Sequence, residues 1–263
     1  MGGLCGYINY TITDYDEPKY CDYFISFGRG VTEKLDDFKT KTVTVGSPVI
    51  SEAARFITEK NKIKFKKNMG IEPNKKTVIY VTSPILREDV HGDHFFYVSD
   101  HTLFNWQKKV IDILTKHDEY TYIVKLFPKY REKDPLITFI NDKDKKNIIP
   151  VYETQFIKLL PLADLIIMDS PSTPLLEALA TKQKIMIGSP YRNFYPDALE
   201  LLKKRIYYSE DIQEYSKQLD EELSGGNFDI KEPNMEFSDQ YCIYKNRESI
   251  ENNLSNFILE ILK

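Results

Sequence analysis

The residues best placed to do chemistry lie in one short run, Asp169-Ser170-Pro171-Ser172-Thr173-Pro174-Leu175-Leu176-Glu177. Pro174 fits the first position of a helix, which makes Thr173 its N-cap and leaves the amides of the next turn without intrahelical acceptors. A helix start carries about half a positive charge together with those free N–H groups, so a pyrophosphate can be held there without a lysine. Ser170, Ser172 and Thr173 add hydroxyls beside it. Glu177, one turn in, is spaced to accept hydrogen bonds from ribose hydroxyls lying over the helix. The same residues also serve a purely structural purpose, with Ser172 and Thr173 capping the helix and Glu177 complementing its dipole. Pattern alone leaves both readings open.

Three further features converge on the same place. Lys125 is a charge inside the apolar run Tyr122 to Phe127, so it either meets a phosphate or snorkels out of the strand end. Ser83, in Thr82-Ser83-Pro84, offers a hydroxyl and open backbone donors, or an ordinary turn. His91, His94 and His101 are three of the four histidines. Their His-x-x-His spacing beside Asp89 and Asp93 invites a metal, but no further ligand cluster closes a coordination sphere, and no bound metal is expected. His91 and His94 fit better as acid, base or phosphate contacts on an active-site loop, or as part of a solvated one.

These residues need a frame. From Pro73 onward the chain alternates apolar strand, loop and amphipathic helix. Strands are expected at Thr77–Thr82, Thr121–Phe127, Asn147–Val151, Asp164–Met168, Lys184–Gly188 and Arg205–Tyr208. The helix from Ser99 to about His117 sets Leu103, Trp106, Val110, Ile113 and Leu114 on one face. Near-continuous apolar strands joined by helices form a parallel sheet covered on both faces, a Rossmann-like doubly wound α/β fold. In such sheets ligands sit beyond the carboxyl ends of the strands, where the run from Asp169 begins. Residues 1–50 read differently, as short extended pieces at Cys21–Phe27 and Thr42–Val45 with little helix. A polar, Lys-rich helix runs from Ser51 to Gly70 as a connector, Glu222–Phe237 reads as a loop, and Arg247–Lys263 reads as a closing helix.

Composition narrows the function. The 263 residues carry 36 Lys and Arg against 40 Asp and Glu, and 41% are apolar. That is globular composition, and a pI near 5.7 argues against a nucleic-acid surface. A mean hydropathy of −0.43, with no apolar run of about 18 residues and no basic-apolar leader, points to the cytoplasm. Three cysteines without a Cys-x-x-Cys pair give neither a disulfide framework nor a thiolate zinc site. The chain has no Gly-x-x-x-x-Gly-Lys-Ser/Thr loop, no Gly-x-Gly-x-x-Gly after the first strand and no Gly-x-Ser-x-Gly elbow, which argues against ATPase, dehydrogenase and serine hydrolase.

The order Gly46-Ser47-Pro48, Lys125-Leu126-Phe127-Pro128, then Asp169-Ser170-Pro171-Ser172-Thr173 with Leu-Leu-Glu-Ala resembles the C-terminal half of two-Rossmann (GT-B) transferases. It is most similar to bacterial surface-polysaccharide enzymes of the CDP-glycerol glycerophosphotransferase-like group and related glycosyltransferases. The likeness covers most of residues 20 to 190. It implies a CDP- or UDP-linked donor as substrate, no bound metal or other cofactor, and a glycan or polyol-phosphate acceptor across a cleft. Position by position, Ser170, Ser172 and Thr173 would take the donor phosphates, Lys125 and Ser83 would support them, Glu177 would take the ribose and Asp169 would shape the turn. Met1 and Phe127 stand where relatives carry histidine.

The resemblance divides the chain into a remnant of a first, acceptor-side domain with its connector, residues 1–50, and a nucleotide-diphosphate domain, residues 51–263. A partner half or self-association is expected to cover apolar surface. Two alternatives stand beside the transferase. One is a nonhydrolysing nucleotide-sugar 2-epimerase-like enzyme, whose acid and base groups would come from the His91 to His101 loop. The other is a noncatalytic interaction module.

Overall fold

A computed structural model of the chain describes residues 7–8, 19–35, 39–85, 99–127, 134–189, 194–230, 232–244 and 247–262. The N-terminal part opens with two short parallel strands, β1 (Tyr23–Ser26) and β2 (Lys41–Thr44), joined through helix α1 (Arg29–Lys34). The expectation of little helix before Ser51 is therefore corrected twice, because α2 (Pro48–Phe56) also begins early. Ser47 caps it by accepting from the Ile50 amide at 3.3 Å, and Pro48 takes a first-turn place where no N–H is needed. The expected single connector helix is two. The chain is extended at Thr58, whose hydroxyl accepts from the Asn61 amide at 3.2 Å and starts α3 (Glu59–Asn68).

Six strands then form one parallel sheet: β3 (Thr77–Val81), β4 (Thr121–Lys125), β5 (Ile148–Val151), β6 (Leu165–Met168), β7 (Lys184–Gly188) and β8 (Tyr207–Ser209). Their order is β5-β4-β3-β6-β7-β8, so the winding reverses between β3 and β6. The helices that cover it are α4 (Asp100–Leu114), α5 (Pro135–Asp142), α6 (Phe156–Leu159), α7 (Thr173–Leu179), α8 (Pro196–Lys203) and α9 (Ile212–Gly225).

Period-two alternation sorts the strand residues onto two cores. Val78, Tyr80, Tyr122, Val124, Leu165, Ile167 and Met186 pack beneath α4, α5 and α9. Ile79, Val81, Ile123, Ile166, Met168, Ile185 and Ile187 pack against α2, α6, α7 and α8. Both sides of each strand are apolar because both are covered, which is why the sequence shows continuous runs instead of an alternating pattern. At the opposite edge from the candidate site, Asp164 accepts from the Thr77 amide and from Lys62 of α3, each at 2.8 Å, and so anchors the connector to the start of β3.

The expected loop Glu222–Phe237 shortens at both ends. Helix α9 runs to Gly225 and is closed by Gly226 in the left-handed region, while α10 (Glu236–Tyr241) begins inside the same span. Then α11 (Arg247–Ile261) packs on α2, and Phe257 meets the Tyr23 ring at 5.4 Å. Ile250 and Phe257 turn inward, whereas Ile258 and Leu262, expected on the same buried face, are exposed together with Tyr23 and Ile25. The Ile243 carbonyl accepts from the Ser47 amide at 2.8 Å, and the Ile243 amide donates to Phe27 at 2.8 Å. This tie makes Gly46 obligatory. Its φ is +96°, and an added Cβ would lie 2.7 Å from the Ile243 oxygen.

Candidate functional site at the carboxyl edge of the sheet

The exits of β3, β4 and β6 stand side by side at the reversal of winding. Val81 is in register with both Lys125 and Met168, so the segments after each begin at one level. Helix α7 starts at Thr173, with Ser172 as its N-cap and Pro174 in its second position. The expected N-cap, Thr173, is thus one residue too late. Proline satisfies either of the first positions equally, since neither amide has an intrahelical acceptor, and proline alone does not fix the cap.

The Ser172 backbone is extended and its hydroxyl makes no capping bond, although its carbonyl accepts from the Leu175 amide at 2.8 Å. Among the described residues, nothing bonds the amides of Ser170, Ser172 and Thr173. Ser170 is buried, Ser172 half-buried and Thr173 exposed. The turn therefore grades from core to solvent and presents unused donors along the way. Glu177 sits half-buried one turn further on, with no ion pair or hydrogen bond to a described residue. Burial alone pushes its carboxyl up to about 7.

Beneath this turn lies a closed polar cluster. Asp169 is 1% exposed and accepts from the Ser83 amide at 2.7 Å, Gln107 Nε2 at 2.8 Å and the Tyr80 hydroxyl at 3.3 Å. Gln107 also donates to the Ser83 carbonyl at 2.8 Å. Burial pushes the Asp169 carboxyl up to about 6, and hydrogen bonds from Gln107, Ser83 and Tyr80 hold it from rising further. Ser83, expected as a phosphate contact, spends its amide on Asp169. Sequence reasoning overlooked Gln107. Its signal was present: position 107 falls four residues after Leu103 and three before Val110, inside the buried face of α4, where an amide has to find partners.

Lys125 reaches the same edge but turns its ammonium onto backbone, donating to Leu126 O at 2.8 Å and Tyr152 O at 2.6 Å. Burial lowers its pKa, with Glu153 opposing. The third ammonium proton is left over from those two bonds. His101 is exposed in the first turn of α4 beside Asn105. His91 and His94, the expected catalytic pair, lie outside the described residues, as does the glycine-rich start of the chain. Among the described residues, no three His, Cys, Asp or Glu side chains converge as metal ligands would.

Among the described residues, Trp106 Nε1, Ser189 Oγ and Tyr215 Oη are buried without hydrogen-bond partners. An unpaired buried hydroxyl loses its hydration for nothing in return, so Tyr215→Phe should stabilise the fold by about 1 kcal/mol. Urea unfolding at neutral pH checks it; a loss of stability would mean that the phenol has an acceptor.

No protein-family model matches the chain, and no curated protein matches it in sequence. Solved structures do match in shape. The UDP-GlcNAc 2-epimerase of Neisseria meningitidis bound to UDP-GlcNAc aligns over 98% of this chain and 68% of its own, with TM-score 0.61 and 14% identity. The wall teichoic acid polymerase TagF aligns over 92% of this chain and 59% of its own, with TM-score 0.53 and 17% identity.

The chain has the Rossmann-like α/β fold found in GT-B proteins.

The UDP-GlcNAc 2-epimerase of Methanocaldococcus jannaschii, in complex with UDP-GlcNAc and UDP, agrees at TM-score 0.56 and 16% identity, over 89% of this chain. This chain spans about three fifths of the TagF and M. jannaschii chains. The Rossmann-like, mainly parallel sheet expected from the strand runs is therefore confirmed, and the reversal between β3 and β6 fixes which edge carries the turn from Asp169. Among the described residues no helix is long and apolar enough to cross a membrane.

Proposed function

We propose that the chain binds the nucleoside diphosphate of an activated donor, CDP- or UDP-linked, as the donor side of a metal-independent glycosyltransferase or glycerophosphotransferase of surface-polysaccharide synthesis. One observation carries this reading: among the described residues, the amides of the turn Ser170–Thr173 at the switch point are unbonded, and the Glu177 carboxyl one turn behind them is unpaired. The amides and the hydroxyls of Ser172 and Thr173 would take the diphosphate, and Glu177 would accept from the ribose diol. Charge developing on the leaving group, the nucleoside diphosphate in glycosyl transfer or the nucleoside monophosphate in glycerophosphate transfer, would be met by donors that need no reorganisation. Lys125 and Ser83 supply the neighbouring wall. In the transferase reading His91 and His94 are the acid–base candidates, and the acceptor, a glycan or polyol phosphate, lies across the cleft. The 2-epimerase alternative shares the donor site and differs in product: it would interconvert a UDP-sugar and its 2-epimer with no acceptor present.

Titration with CDP, UDP, GDP and CMP tests the site. At least one diphosphate should raise the melting temperature, and CMP should do so less. Ser172→Ala with Thr173→Ala removes two hydroxyls but no amide, so affinity should fall roughly tenfold without disappearing. No response to any of the four would remove the donor site.

A further inference from the structure

We propose that Asp169 is a positioning residue whose ionised carboxylate holds the exits of β3 and β6 in the geometry that receives the diphosphate. The proposal rests on the donor-site reading above and goes beyond it, because Asp169 cannot touch a ligand: it is 1% exposed and lies under the turn whose amides would. What it touches are the two sides of the switch point. It follows Met168 directly in the chain, it binds the Ser83 amide at 2.7 Å, and Gln107 closes the ring by donating to Asp169 and to the Ser83 carbonyl, each at 2.8 Å. Three elements, β3, β6 and α4, thus meet on one side chain.

The Ser83 amide and Gln107 Nε2 can only donate to Asp169, and a carboxylate accepts them together with the Tyr80 hydroxyl; a carboxylic acid carries a proton of its own that must find an acceptor, so the Tyr80 hydroxyl has to reverse its role and the ring rearranges. The titratable groups facing it are the phenols of Tyr80 on β3 and Tyr215 on α9; Gln107 on α4 and Ser83 are neutral. Burial pushes the Asp169 carboxyl up to about 6. Folding and binding then respond oppositely to the same proton. The folded state takes the proton more tightly than the unfolded chain, so fold stability rises as pH falls from about 6 toward the ordinary carboxylate range. The turn meanwhile loses a tether, so nucleotide affinity falls through the same window. A residue that only supported the fold would not move the two in opposite senses.

Calorimetric titration of UDP and CDP provides the test, carried out in Glu177→Gln so that the neighbouring carboxyl does not titrate in the same window, with each profile corrected for the nucleotide's own phosphate ionisation near pH 6. We expect Asp169→Asn to bind about tenfold more weakly at pH 8, because its amide replaces one acceptor oxygen by a donor that must face either the Ser83 N–H or Gln107 Nε2. Gln107→Glu places a second carboxyl against the first and should move the midpoint of the affinity profile upward by about one pH unit. Unchanged affinity in Asp169→Asn overturns the inference. Should that variant fail to fold, an unmoved midpoint in Gln107→Glu overturns it instead. If the unmodified chain binds neither nucleotide, the donor site itself fails, and this inference falls with it.

Discussion

Gly188→Val should lower the melting temperature by about 6–12 °C, on the basis of roughly 3 kcal/mol of overpacking and 2–4 °C per kcal/mol in a chain of this size. Gly188 ends β7 on the side covered by α4 and α9, and the room of its missing side chain is filled by two rings. A Cβ there would lie 2.5 Å from Trp106 Cζ2 and 2.7 Å from Tyr215 Cγ. Both contacts are shorter than van der Waals separation, and neither ring can retreat. Trp106 is 4% exposed and Tyr215 fully buried, and the two pack against each other at 5.8 Å between centroids. Valine adds two methyl groups to that overlap. Gly188→Ala should show the same effect at about 1–3 kcal/mol. Gly225→Ala is the control, since nothing lies within 4 Å of its Cβ and alanine suits the end of α9. Equal melting temperatures for Gly188→Val and the unmodified chain would mean that α4 and α9 sit further from the sheet than described.

The same packing explains what could be read from the sequence. The six strands of the large sheet are legible because parallel strands buried on both faces are apolar along most of their length. The turn at the end of β6 is legible because serine, threonine and proline announce a helix start. The N-terminal helices are harder to find. Gly28 and Gly30 read as breakers, yet they flank the start of α1 because α10 lies against it: a Cβ on Gly30 would sit 2.3 Å from the Tyr241 ring. Those partners are more than 200 residues apart, and nothing local records them. Ser47-Pro48 carries the same signal as Thr173-Pro174, a hydroxyl residue followed by proline, and it too stands at the start of a helix, with Ser47 itself as the N-cap.

The site was half visible for a related reason. Residues that would touch a ligand are polar at an exposed turn and draw attention by type. Residues that hold the turn, Gln107 and Tyr80, lie within an apolar helix face and an apolar strand, where a polar group is easily passed over. Lys125 drew attention as a charge in a strand, but its first two partners are the carbonyls of Leu126 and Tyr152, which follow the ends of β4 and β5. Only the pairing of β4 with β5 brings the Tyr152 carbonyl within reach.

Glu177 has the largest consequence for function, and its two effects have opposite signs. Burial raises its carboxyl from the ordinary 4.5 to about 7. The folded state therefore binds this proton more tightly than the unfolded chain, and stability falls as pH rises from 4.5 to 7, after which the full penalty persists. At 1.36 kcal/mol per pH unit, and allowing for the water that still reaches a half-buried side chain, the penalty is on the order of 2 kcal/mol. Glu177→Gln should accordingly raise the melting temperature at pH 8 by about 4–8 °C and leave it unchanged near pH 4.5. Nucleotide affinity should move the other way, falling roughly 10- to 100-fold at pH 8, since the ionised carboxylate offers two charge-assisted acceptors to a ribose diol and the amide only one neutral acceptor. A site that destabilises the fold and strengthens binding is one arranged for a ligand. Binding also favours the ionised form, so titration of UDP or CDP at pH 6.5 in buffers of different ionisation enthalpy should show proton release from the unmodified chain and less from Glu177→Gln. Loss of stability in Glu177→Gln at pH 8, with affinity intact, would instead make Glu177 a structural carboxylate with a partner of its own.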